Sequence, residues 1–184
     1  MKQNELIYLN ELPLTKERDI ILKKILDKDL LLKYTSKGKP YIYPQTHDVS
    51  FSHKEKKLFL GISKNPFKIG IDLEKFDENL NEKAFIKFAF SKKEKILLKE
   101  LCREKNISLS FGVSLLWSIK ESFFKCIGQK IIPNSIYINS IKENNVKLRM
   151  SKRIREIMKN KGLTIKYTKF QIKTPYIYSI TLMK

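Results

Sequence analysis

Stretches with two-residue periodicity and stretches with helical periodicity are grouped along this chain rather than alternated, and that grouping restricts the fold most. A helical pattern covers Lys16–Leu32, with Thr15 as its N-cap. Strand-like Asp48–His53 and Lys57–Ile62 follow, then an apolar run, Phe67–Leu73, after a break at Asn65-Pro66. Three helices come next: Asn81–Phe90, Lys92–Lys105 and Leu115–Ile127. The tail carries strand-like Ser135–Ile141, Asn145–Met150, Leu163–Ile172 and Tyr176–Met183, interrupted by a short basic helix at Lys152–Lys159. A doubly wound parallel sheet needs strict alternation of strand and helix. The grouped order therefore predicts an α+β fold.

Local signals sharpen the boundaries. Ser36–Pro40, SKGKP, reads as a turn because glycine and proline punctuate it. Ser91 with Glu94 three residues on forms a capping box for the third helix. Leu115, Leu116, Ile119, Phe123 and Ile127 make one apolar stripe, and Gly128 is placed to stop that helix. Cys102 and Cys126 belong to no CxxC pair, so neither a disulfide framework nor a zinc site is expected, and Cys126 reads as a buried small hydrophobe. The 184 residues suffice for one domain or two small halves. No apolar run reaches the roughly 20 residues that cross a bilayer. The first ten residues lack the apolar core of a signal peptide, so a cytoplasmic location without membrane attachment is expected.

The formal charge is +19, and only five of the 38 basic residues are arginine (Arg18, Arg103, Arg149, Arg153 and Arg155). Such an excess predicts a polyanionic partner without naming it. Lysine dominance speaks against reading base edges, where the planar guanidinium is preferred.

Three clusters carry chemistry. In Ile69-Gly70-Ile71-Asp72-Leu73-Glu74 the two acids are two residues apart, so a strand presents both carboxylates on one face. So short a pattern also fits a solvated strand end carrying two acids; in the other reading a cation relieves their repulsion, and oxygen-only ligands suit Mg²⁺, with Mn²⁺ possible. Trp117, Glu121 and Lys125 follow at helical spacing on a side away from the apolar stripe. A third carboxylate beside a lysine suits metal and phosphate, although a Glu–Lys pair at i, i+4 is also an ordinary surface ion pair. Ser50-Phe51-Ser52-His53 ends a strand with a hydroxyl and an imidazole that can both donate to phosphate, or with a strand-end histidine that has no role. No P-loop, GxGxxG or serine-triad pattern is present.

Taken together, GKPY (Gly38–Tyr41), SFSH (Ser50–His53), IGIDLEKF (Ile69–Phe76), FSKKE (Phe90–Glu94) and WSIKESFFKCIG (Trp117–Gly128) resemble, in order and interval, the 4'-phosphopantetheinyl transferases of the surfactin-synthetase-activating type. That resemblance implies a pseudo-dimer of two similar α+β halves with the active site in the cleft between them. The halves would be residues 1–66 and 67–184. It implies a magnesium-dependent enzyme that moves the phosphopantetheine arm of coenzyme A to a serine of an acyl or peptidyl carrier protein, releasing adenosine 3',5'-bisphosphate. Asp72, Glu74 and Glu121 match the metal ligands, and Lys125 the lysine on the coenzyme A phosphates. Ser52 and His53 match a pair beside the cofactor's phosphates, and Lys39-Pro40 a loop along its nucleotide. Glu121 is expected to be the general base. A monomer is implied, with an acidic carrier as partner and no nucleic acid.

The chain departs from the resemblance in three places. Lys54-Glu55 replaces the usual Ser-Gly after the serine–histidine pair. Gln129-Lys130-Ile131 replaces Lys-Gly-Leu after Gly128. The N-terminal basic residues for the 3'-phosphate do not align, leaving Lys23, Lys24, Lys28 and Lys33 as candidates. Two rivals stand beside the enzyme: a basic nucleic-acid-binding protein, and an inactive relative that only binds carriers or coenzyme A. Convergence of Asp72, Glu74 and Glu121 in space separates the first rival from the transferase. Which carrier is served, whether of fatty-acid, polyketide or peptide synthesis, is open.

Overall fold

The computed structural model describes residues 6–13, 18–26, 30–44, 46–76 and 82–184. Strand β1 (Leu6–Pro13), helix α1 (Arg18–Leu26) and strands β2 (Leu31–Tyr34), β3 (Pro40–Tyr43), β4 (His47–Lys54) and β5 (Lys57–Lys64) form the first group of elements. Strand β6 (Lys68–Lys75), helices α2 (Glu82–Ala89), α3 (Lys92–Lys105) and α4 (Leu109–Ile127), strands β7 (Ile136–Lys142) and β8 (Asn145–Met150), helix α5 (Lys152–Asn160) and strands β9 (Ile165–Lys173) and β10 (Tyr176–Met183) form the second. Each group makes an antiparallel five-stranded sheet, in the orders β1-β5-β4-β3-β2 and β6-β10-β9-β8-β7. Both sheets therefore run first, fifth, fourth, third, second, with helix following the first strand. The α+β class with two similar sheets is as expected.

Helix α4 sits on β6 and β10 through small side chains, with Ser118 Oγ donating to Ser179 Oγ (2.9 Å) and Ser122 Oγ meeting Thr181 Oγ1 (3.0 Å), while its apolar stripe of Leu115, Leu116, Ile119 and Phe123 is fully buried in the cores alongside. Gly70 permits the contact. A Cβ there would lie 2.0 Å from the Ser122 carbonyl oxygen and 2.2 Å from the Cys126 nitrogen. On the opposite face of β6, Ile69, Ile71 and Leu73 pack with Phe59 of β5 and Tyr178, Ile180 and Leu182 of β10. The alternation thus leaves Gly70, Asp72 and Glu74 toward α4.

The two sheets meet along a seam of side chains. β6 is an edge strand, and edge strands expose unpaired main-chain groups. The Ile69 amide donates to Asp48 Oδ2 (2.8 Å) and the Ile71 amide to Ser50 Oγ (3.1 Å). Next along β4, Ser52 Oγ donates to Asp72 Oδ1 (2.9 Å) and Lys54 Nζ to Glu74 Oε2 (2.8 Å). One residue in two from β4 thus forms a rung onto β6.

Several sequence expectations are corrected here. The helix over Lys16–Leu32 is shorter. Leu31 and Leu32 belong to β2, paired antiparallel with β3, while Thr15, Lys16 and residues 27–29 lie outside the described residues. The helix placed at Leu115 starts at Leu109, capped by the Ser108 side chain. Its first two turns contain Gly112 and Ser114, poor helix formers by propensity. Gly112 is kept by packing, because a Cβ there would meet Cys102 Sγ at 2.6 Å and Leu98 Cδ1 at 2.7 Å. Strands β1 and β3 had no counterpart in the reading of the sequence. The capping box at Ser91–Glu94 and the left-handed stop at Gly128 are as expected; α2 begins at Glu82, and Asn81 lies outside the described residues.

Candidate active site

Asp72 and Glu74 leave β6 toward α4, and Glu121 and Lys125 leave α4 toward β6. One carboxylate oxygen from each of Asp72, Glu74 and Glu121 lies within 4.8 Å of the others. Asp72 is buried at the base, and Glu74 and Glu121 are half-buried. Lys125 Nζ lies 2.6 Å from Asp72 Oδ1 and 3.7 Å from Glu121 Oε2, and donates to Ser52 Oγ at 3.0 Å. Trp117 Nε1 donates to Glu121 Oε1 at 2.8 Å, which fixes that carboxylate, and its indole is held edge-on by Phe85. Lys54 pairs with Glu74.

These contacts leave a gap in the polar bookkeeping. Asp72 Oδ2 is buried without a hydrogen-bond partner among the described residues, and such an atom is costly unless something occupies its lone pairs. Burial, and then the charge of Asp72, push the Glu121 carboxyl up to about 7, against the pull of Lys125. The Lys54 ammonium is held above its ordinary value by its bond to Glu74, with added pull from Asp72 and Glu121. Three carboxylates, one with an orphaned oxygen, are the donor set of a hard divalent cation such as Mg²⁺ or Mn²⁺, and the residues fit one.

A cleft of about 350 Å³ opens above the acids, walled on the other side by Arg18, Tyr34, Gly38, Pro40, Ser52 and His53. Ser52 and Pro40 are therefore brought to the acids, and His53 stands exposed at the wall. Lys39 is placed differently. Its ammonium is bound to Asp48 Oδ2 (2.7 Å) and the Cys126 carbonyl (2.9 Å), and it lines a neighbouring cavity of about 510 Å³ with Lys37, Lys68 and Lys161. Arg18 and Tyr34 were missed from sequence, as was the part played by Lys54. Of the lysines considered for the N-terminal phosphate contact, Lys33 lies over the Tyr43 ring (4.3 Å), and Lys28 lies outside the described residues. Arg18, over the Phe51 ring at 5.2 Å, is the basic residue of α1 in the cleft wall. Its being one of only five arginines was the available signal.

Residues 68–175, more than half of the chain, match the family described as the 4'-phosphopantetheinyl transferase superfamily. The chain belongs to that superfamily. Among phosphopantetheinyl transferases, it is 31% identical over 131 residues to the 4'-phosphopantetheinyl transferase gsp of Aneurinibacillus migulanus. The match takes in 70% of this chain and 52% of that protein, so the chain spans about half the length of this curated relative. The fold resembles the crystal structure of a holo-ACP-synthase from Plasmodium yoelii, with a TM-score of 0.50 at 20% identity over 63% of this chain and 92% of that one. An acyl carrier protein synthase of Mycobacterium tuberculosis superposes with a TM-score of 0.46 at 16% identity, over 64% of this chain and 96% of that one. Among the described residues no helix is long and apolar enough to cross a membrane.

Proposed function

We propose that this member of the phosphopantetheinyl transferase superfamily transfers the 4'-phosphopantetheine arm of coenzyme A to a serine of an acyl or peptidyl carrier protein, using a divalent metal ion. The observation that carries the reading is the convergence of Asp72, Glu74 and Glu121 within 4.8 Å, with Lys125 and Ser52 beside them. Three acids facing a phosphate-bearing ligand repel it unless a cation sits among them. That favours metal-assisted phosphoryl chemistry over a nucleic-acid surface built on the +19 charge.

Asp72, Glu74 and Glu121 would hold Mg²⁺ or Mn²⁺. When bound, the ion supplies charge neutralisation on the pyrophosphate oxygens. Lys125 neutralises charge on the same phosphates from the α4 side, and the Ser52 hydroxyl, His53 and the Pro40 loop orient the cofactor. The carrier serine oxygen forms a bond to the β-phosphorus. The bond from that phosphorus to the bridging oxygen breaks, and adenosine 3',5'-bisphosphate leaves with the electron pair. Glu121, fixed by the Trp117 N–H, takes the serine proton directly or through one water. In this reading residues 1–66 supply the cofactor wall and residues 67–184 the acids. The protein acts as a monomer on an acidic carrier.

Intact-mass spectrometry of apo carrier proteins incubated with this protein, coenzyme A and Mg²⁺ tests the reading. The expected result is a gain of one phosphopantetheine arm that a chelator abolishes and Glu121→Gln lowers by about 10²-fold or more. No gain on fatty-acid, polyketide or peptidyl carriers, from a preparation that binds coenzyme A and metal, would leave a binder without activity. Wild-type turnover in Glu121→Gln at saturating Mg²⁺ would remove Glu121 as the base.

A further inference from the structure

Lys54 is two residues beyond Ser52 on β4, so its side chain leaves the strand on the same face and reaches the next acid along β6. Ser52 meets Asp72, and Lys54 meets Glu74 at 2.8 Å. The two ammoniums near the acids are held differently. Lys125 is fixed by Ser52 and Asp72 and lies beside Glu121. The Lys54 side chain is 42% exposed at the mouth of the cleft, and among the described residues its ammonium is hydrogen-bonded to Glu74, itself 21% exposed. The Glu74 carboxylate that Lys54 holds is one of the three that a divalent ion would share. Such an ion is also less attracted to three carboxylates already offset by two lysines than to three offset by one.

We propose that Lys54 is a positioning residue that holds Glu74 until a divalent ion arrives, and that it exchanges this carboxylate for a phosphate oxygen of coenzyme A, so that ion and coenzyme A load together. The proposal rests on the reading of the three acids as a metal site. Bound coenzyme A gives the displaced ammonium a new anionic partner at the cleft mouth. Metal affinity is thereby raised by coenzyme A, and coenzyme A affinity by the metal to the same factor.

The test is an electron paramagnetic resonance titration of Mn²⁺ against the full chain, with and without coenzyme A and with no carrier present. Without coenzyme A, Lys54→Met is expected to bind Mn²⁺ about five-fold more tightly than wild type, the size of a half-exposed ion pair. With saturating coenzyme A the advantage is expected to vanish, so the enhancement by coenzyme A shrinks by about the same five-fold factor. Lys54→Arg restores the wild-type pattern. Lys56→Met, the same charge change at the β4–β5 turn, shifts the affinity by less than about two-fold because solvent screens it. Unchanged or weaker Mn²⁺ binding by Lys54→Met, or an equal effect of Lys56→Met, overturns the exchange. Glu121→Gln separates the two levels of inference. If it binds Mn²⁺ as wild type does, the metal-site reading itself fails. If it loses the ion while Lys54→Met is neutral, only the role of Lys54 fails.

Discussion

Directly before the Glu121 carboxylate, Lys120 points into the core, fully buried, with its ammonium 3.0 Å from Glu94 and bonded to the carbonyls of Ala89 and Pro133. Glu94 in turn accepts from the amides of Ser91 and Ile138. One ion pair thus ties α2, α3, α4 and β7 beneath the site. Glu94→Leu strands a buried ammonium and two amides and is expected to cost about 3–5 kcal/mol in urea denaturation. Lys120→Met is expected to cost less, since the remaining carboxylate keeps both amides. At this scale the site was largely legible. Strand alternation puts Asp72 and Glu74 on one face and helical spacing puts Glu121 and Lys125 on one side, while their meeting was expected from the family resemblance alone. Lys39 was not legible as it stands, because nothing in SKGKP says that its ammonium turns to Asp48 and the end of α4. The same helix that displays Glu121 hides Lys120 beside it, which only the packing of α2 and α3 decides.

Between elements, the Gly70 contact sets how close β6 comes to α4, and with it the distance from Asp72 to Glu121. Both atoms a Cβ would strike are main-chain atoms, which cannot rotate away. Gly70→Ala is expected to destabilise by about 3 kcal/mol or more and to weaken Mn²⁺ binding, both readable in one thermal-shift series with and without the ion. On the other side, Glu11 of β1 accepts from Tyr178 of β10 and pairs with Lys57 of β5 at 2.8 Å, linking the sheets a second time. The Lys57 ammonium, and then the Tyr178 hydroxyl, hold the Glu11 carboxyl below its ordinary value of 4.5. A carboxyl depressed in the folded state stabilises the protein above pH 4.5 and loses that contribution as pH falls through the folded value. Glu11→Gln is therefore expected to cost under about 1 kcal/mol at neutral pH, the pair being partly exposed, and nearly nothing at about pH 3, by denaturant titration at the two pH values. Strong periodicity and caps made most helices and tail strands readable. The readings failed where tertiary pairing overrides local preference. Leu31 and Leu32 continue a helical pattern yet pair with β3, and Gly112 enters a helix because α3 leaves room for nothing larger.

For the whole molecule, 38 basic residues against 19 acidic ones place a large self-repulsion on a 184-residue fold. Screening that repulsion is expected to raise the thermal midpoint by roughly 2–5 °C between about 20 and 200 mM sodium chloride; a flat or falling midpoint would mean that local ion pairs outweigh the net charge. The α+β class was legible from the grouping of elements. Two similar halves were expected from the family resemblance, but the strand order was not legible, because β1 and β3 were not seen, the start of β2 was read as helix, and pairing partners are set by contacts remote in sequence. The seam between the sheets has a consequence for how such a chain can change. Main-chain hydrogen bonding is largely indifferent to which residues supply it, so strands joined that way are hard to retune by point substitution. Here Asp48, Ser50, Ser52 and Lys54 each supply one rung from a side chain. Selection can therefore loosen or tighten the clasp between the halves one codon at a time, and a lineage can alter the aperture of its cleft while leaving every strand where it is.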